Sequence, residues 1–148
     1  MKAVVENKKA RLEYEFIDTY EAGIELRGFE VKALRLGKAS LIGSHVLVRG
    51  GEAYLVGASI PPYQEGNTPK GYDPERTRRL LLSKKELKTL EGDDSRKGLT
   101  MVPIMVYNKN RRLKLSFALA RKKKKFDKRA TLKERDSKRD IDRSLKSQ

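Results

Sequence analysis

The chain has 148 residues, with 35 Lys+Arg against 20 Asp+Glu, a formal net charge of +15. It has no cysteine and one histidine, which excludes a disulfide scaffold, a thiolate metal site, a Cys nucleophile and a multi-His metal centre. Apolar residues make up 37%, below the about 45–50% usual in globular domains, and charged residues also make up 37%, above the usual level of about 25%, so one modest core with a less packed appendage is expected.

In chain order, Met1–Glu6 holds no apolar stretch suited to a secretory signal, and no later run approaches the roughly 18 residues of a membrane span. A soluble cytoplasmic protein without a membrane partner is expected. Asn7, Lys8, Lys9 and Arg11 form a basic cluster read as preceding the first strand. Tyr14, Phe16, Tyr20, Ala22, Ile24 and Leu26 alternate loosely, which predicts two short strands or one bent strand. Gly23 inside that pattern suggests a bulge or a tight bend. At 29–36 the period changes, with Glu30, Lys32 and Arg35 roughly on one face, and a short helix ending at Gly37 is predicted.

His45–Arg49 and Glu52–Val56 flank Gly50-Gly51, which supplies the positive φ angles of a tight hairpin. Residues 61–79 hold four of the five prolines and read as a long loop. Arg76, Arg78 and Arg79 end it beside Leu80-Leu81-Leu82. Ser83 and Glu86 have the spacing of a capping box, and a short helix follows to about Gly92. Met101–Tyr107 is a strongly apolar strand, turned by Asn108–Arg111. Leu113, Leu115, Phe117 and Leu119 then alternate with Lys114, Ser116 and Ala118, a half-buried strand. Five or six short strands with small helices at the junctions predict a mainly β fold, an OB-like closed antiparallel β-barrel with short peripheral helices and a basic C-terminal tail. The count alone also fits an SH3-like barrel or a small sandwich.

The charge is uneven. Residues 1–120 hold 22 basic and 15 acidic groups, net +7, while residues 121–148 hold 13 and 5, net +8. The division expected is a folded body over 1–120 and a cationic tail over 121–148. The tail is too poor in apolar groups to order itself. Thr131 and Glu134 form a second capping box, and Glu134/Lys138 and Arg139/Asp142 sit at helical spacing, so a helix is expected on an anionic partner. Phe126, flanked by Lys125 and Asp127-Lys128-Arg129, has no core to join and suits stacking on a base.

Signs of catalysis are weak. The glycines at 23 and 28 lack a following phosphate-binding lysine. His45 has no constellation aimed at it, and Asp93-Asp94 and Asp140-x-Asp142 lie in cation-rich stretches where solvated acids are the simpler account. No cofactor and no metal are expected. Several basic clusters and a polycationic tail point instead to RNA.

The chain resembles the small protein B family, the SsrA-binding proteins of bacterial ribosome rescue. The likeness is carried by Asn7–Arg11, Thr19–Ile24, Gly28–Arg35, Asp73–Leu82, Gly98–Pro103, Leu119–Lys123 and Asp127–Arg129. It implies an OB-fold body that binds the tRNA-like domain of transfer-messenger RNA (tmRNA), acts without catalysis, and accompanies it as a monomer to the A site of stalled ribosomes. By that likeness Asn7, Glu21 and Leu81 match positions important for RNA binding, and Glu30, Lys32 and Arg35 match the helix beside them. Lys8, Lys9, Arg11, Arg76, Arg78 and Arg79 join the expected RNA surface. Arg121, Lys122, Lys123, Lys124, Lys125, Phe126, Asp127, Lys128 and Arg129 match the tail that meets the decoding centre and mRNA channel. Leu12, Lys122 and Phe126 depart from the His, the Gly and the His or Tyr usual in the family. A structural ribosomal protein with a permanent rRNA site is the alternative.

Overall fold

The computed structural model describes residues 3–94 and 98–124. The tail beyond Lys124, with Lys125, Phe126, Asp127, Lys128, Arg129 and the predicted helix, lies outside the described residues. Among the described residues the strands are β1 (Ala3–Glu6), β2 (Tyr14–Ile24), β3 (His45–Arg49), β4 (Glu52–Val56), β5 (Arg78–Leu81), β6 (Leu99–Lys109) and β7 (Arg112–Lys122). The helices are α1 (Lys8–Glu13), α2 (Gly28–Arg35) and α3 (Lys84–Asp94).

The strands form an antiparallel ring in the order β6-β3-β4-β5-β2-β7, closed by β7 pairing back to β6, with β1 added to β6 beside β3. Closure removes the open edges a sandwich would leave, and the expected barrel is what forms. The seam between β3 and β6 holds a single registered pair, Val46 with Met101. Helix α3 packs against both of these strands, and its Leu90 is fully buried in the core. The helix thus covers the place where the ladder is thinnest. Its start is the predicted capping box: the Glu86 amide donates to Ser83 Oγ at 3.2 Å, and the Ser83 amide to Glu86 Oε1 at 3.3 Å.

The barrel is filled by the inward residues of its strands, among them Val46, Leu55, Leu80, Met101, Leu115, Phe117 and Leu119, together with Leu34 of α2. A smaller apolar cluster lies outside it, where Ala10 of α1 meets Val102 and Ala120, flanked by Tyr14 and Phe16. That cover explains a departure from the predicted alternation of β7. Phe117, Ala118, Leu119 and Ala120 are all buried, Ala120 because Ala10 of α1 and Phe16 shield the outer face there.

Three further expectations change. The basic cluster at Asn7–Arg11 does not precede the first strand; it follows β1 and forms α1. The bend in β2 falls at Ile17, where the register to β7 slips between Phe16 and Asp18. Gly23 has a different cause: a Cβ there would lie 3.3 Å from Leu81 Cβ, so glycine lets β5 approach β2 closely. The proline-rich loop also ends earlier than predicted, because Arg78 and Arg79 already belong to β5.

Candidate nucleic-acid interface

Most of the expected RNA residues fall into three groups. The first surrounds a groove. Gly23, Ile24, Leu26, Val31, Leu81 and Leu113 make its apolar floor, and Arg35, Arg111, Arg112 and Lys114 its basic lip, around a volume of about 330 Å³. Leu81 is 48% exposed, unusual for a leucine in a short barrel strand. Arg112 and Lys114 are shared with an adjoining hollow of about 540 Å³ that also holds Glu21 and Lys109. Most of its cations sit on the β6–β7 hairpin, where Tyr107 pairs with Lys114 and Lys109 with Arg112, while the floor comes largely from β2, α2 and β5.

Glu21 is the one acid lining this surface. Tyr107 Oη donates a short hydrogen bond to its Oε2, and Lys109 Nζ lies 3.1 Å from Oε1 and 3.3 Å from Oε2. These two partners, the tyrosine first, hold the carboxyl below its ordinary range. Burial, then the Glu21 carboxylate, pushes the Tyr107 phenol well above its own range, so the phenol stays a donor. A carboxylate has about four lone-pair sites, so acceptor capacity remains for a base amino group or a 2′-hydroxyl.

The second group is spent inside the fold. The Glu30 and Arg78 side chains are both fully buried. Glu30 Oε2 accepts from Arg78 Nε at 2.8 Å, Tyr72 Oη at 3.0 Å and Arg76 Nε at 3.1 Å. Its Oε1 accepts from the Arg27 amide at 2.8 Å and from Arg76 Nη2. Arg78 also donates to the carbonyls of Ala58, Arg76 and Pro74. Burial alone would raise the Glu30 pKa, but the bonds from Arg76, the Arg27 amide and Arg78 outweigh it and hold the carboxyl at about 2. This network ties the proline-rich loop to α2. Glu30 therefore does not share the exposed face of Lys32 and Arg35; it points the opposite way.

Asn7 is also inside, 4% exposed. Its Oδ1 caps α1 by accepting from the Ala10 amide at 3.2 Å, and its Nδ2 donates to Pro103 O at 3.0 Å and Leu41 O at 3.3 Å. Asn7→Ala is expected to lower unfolding stability by about 2 kcal/mol, through the lost cap and the lost bonds to Pro103 O and Leu41 O, of which Leu41 O keeps its donors from Ser44. Urea denaturation checks this, and an unchanged midpoint would contradict it.

Two other predicted residues are exposed but engaged. Arg79 bridges to Glu52 at 3.0 and 3.1 Å and to Glu25 at 3.8 Å. Lys32 Nζ stands 5.7 Å from the Tyr63 ring centroid.

The third group forms a separate basic surface. Lys8, Lys9 and Arg11 are exposed on α1, as are Arg121, Lys122 and Lys124 at the end of β7 and just beyond. The Lys123 amide donates to Glu13 O at 2.8 Å, and Tyr14 pairs with Lys122, so the root of the tail lies against α1. None of these residues lines the groove.

Sequence reasoning missed Tyr107, Lys109, Arg111, Arg112 and Lys114. Their signal was present: four cations crowd the six positions 109–114 around one turn.

Fold and groove together define a basic OB-like barrel protein with a charged, apolar-floored surface site. The chain belongs to the SmpB protein family, whose sequence profile matches residues 4–147. It is 51% identical over 138 residues to the SsrA-binding protein of Chlorobaculum tepidum, covering 93% of this chain and 87% of that one. It is 47% identical over 146 residues to the SsrA-binding protein of Pelotomaculum thermopropionicum, covering 99% and 95%. Among solved structures it is similar to a chain from the work headed "tmRNA-SmpB: a journey to the center of the bacterial ribosome". That match has a TM-score of 0.68 and 46% identity, covering 81% of this chain and 84% of the other.

Proposed function

We propose that the chain is a non-catalytic RNA-binding adaptor that holds the tRNA-like domain of tmRNA and brings it to the A site of stalled ribosomes in the cytoplasm. The observation that carries this reading is the groove between β2, α2, β5 and the β6–β7 hairpin, where an apolar floor is ringed by Arg35, Arg111, Arg112 and Lys114 beside the ionised Glu21. Cations bind phosphates without regard to sequence, whereas an acceptor among them repels phosphate and favours a base edge or a ribose hydroxyl. Leu81 and its neighbours offer a surface to the face of an unstacked base. The likeness to SsrA-binding proteins and to the tmRNA–SmpB structure supports this choice of RNA.

A division of labour is part of the proposal. The groove grips the RNA, and the α1 surface continues into the tail of residues 121–148, which engages the ribosome. The exposed groove residues make the RNA contacts, while Asn7, Glu30 and Arg78 act by shaping the body.

The test is binding to the tRNA-like domain of tmRNA against an unrelated hairpin RNA of equal length. A preference of at least tenfold is expected. Affinity should fall steeply with salt, by a slope of roughly 0.7–0.9 per phosphate neutralised. Deleting residues 125–148 should leave this affinity within about threefold while abolishing tagging of stalled chains. Equal affinity for both RNAs would overturn the reading.

A further inference from the structure

We propose that Arg111 binds a backbone phosphate of the RNA, held at the lip of the groove by a turn whose left-handed geometry disfavours arginine. The inference rests on the RNA-binding reading above and adds a contact residue to it.

The barrel has two two-residue hairpin links of the same left-handed geometry. One is Gly50-Gly51, with φ of 59° and 76°; the other is Asn110-Arg111, with φ of 52° and 66°. Glycine adopts this region freely, and asparagine tolerates it through its short polar side chain. Arginine has neither advantage, because its Cβ crowds the following carbonyl. Glycine would serve the second turn as well as it serves the first.

The fold also gains nothing from the guanidinium. Arg111 is exposed, and among the described residues its side chain makes no hydrogen bond or ion pair. What the structure uses is its backbone: Arg35 Nη2 donates to Arg111 O at 3.2 Å, pinning the turn against α2. Lys109 and Arg112, in register on either side, close the hairpin. The result is a backbone held in place on the groove's lip beside Arg35, Arg112 and Lys114, bearing a guanidinium that is unpaired among the described residues. The lone acid of this surface, Glu21, is already engaged by Tyr107 and Lys109. A planar fork of N–H donors in such a place matches the oxygens of a phosphate.

Two substitutions separate side chain from turn. Arg111→Gly and Arg111→Ala both remove the guanidinium, but only glycine relieves the backbone. The glycine variant should therefore melt about 3 °C above the alanine variant. Both should lose about five- to tenfold in affinity for the tRNA-like domain of tmRNA. Both should also show a salt slope of log K shallower by about 0.7–0.9, the signature of one lost phosphate contact. If Arg111→Gly binds as tightly as the unsubstituted chain, or loses affinity with the salt slope unchanged, this inference is overturned and the proposed function stands. If the unsubstituted chain shows no preference for the tRNA-like domain, both fall together.

Discussion

Glu30→Gln should destabilise the fold by about 3–5 kcal/mol, the usual result of stranding one member of a buried ion pair. The amide is close in shape to the carboxylate. It carries no charge to offset Arg78, which is fully buried, and its NH₂ would face donors from Arg76 or Arg78. Acid should reproduce the effect in the unsubstituted protein. The folded-state pKa of Glu30 is depressed from 4.5 to about 2. Its contribution is therefore complete above pH 4.5 and is lost as the pH falls towards 2. Urea midpoints of both proteins at pH 7 and at pH 3 test this. The gap should be wide at neutral pH and narrower in acid; equal midpoints at pH 7, or a gap indifferent to pH, would count against the assignment.

Leu81→Asp should reduce affinity for the tRNA-like domain about 100-fold, which corresponds to roughly 2.7 kcal/mol. Leu81 is 48% exposed on the groove floor, so the exchange removes apolar contact and places an anion on the proposed RNA surface. Half-exposed as it is, the side chain contributes little to the core, and stability should change by less than about 1 kcal/mol. Titration of labelled RNA together with a thermal melt separates the two readouts. A variant that binds normally would remove the groove from the RNA site. One that binds poorly because it has unfolded would show it in the melt.

Much of the architecture was legible because its signals are local. Gly50-Gly51 announces a hairpin within two residues, and Ser83 with Glu86 announces a helix start within four. The arginine-rich stretch is the opposite case. Arg76, Arg78 and Arg79 look alike in sequence, yet one is buried against Glu30, one is partly covered by it, and one pairs with Glu52 and Glu25 on the surface. The separations from Glu30 to Arg76 and Arg78 are 46 and 48 positions, far beyond any local pattern. Glu30 was misread for the same reason: its spacing to Lys32 and Arg35 suggested one polar face, and only the closed loop shows where its charge goes. The bulge at Ile17 depends on how β2 wraps β7, and α1 depends on Pro103 and Leu41 offering carbonyls to Asn7. In the candidate site, Glu21 and Leu81 could be named from family likeness. Of the β6–β7 cations, Lys109 and Arg111 read as part of a turn and Lys114 as the solvent side of a half-buried strand, so nothing local joins them into one site.

Strand β7 begins at the hairpin that bears the groove's cations and ends where the cationic tail departs beside α1. Its 11 residues are laced along both edges, to β2 and to β6, and so behave as a stiff rod of up to about 35 Å. On the proposed division of labour, the two working ends of the molecule are held at a set spacing and angle. The adaptor would then act as a gauge: an RNA seated at one pole fixes where the other pole can reach, before any ribosomal contact is made.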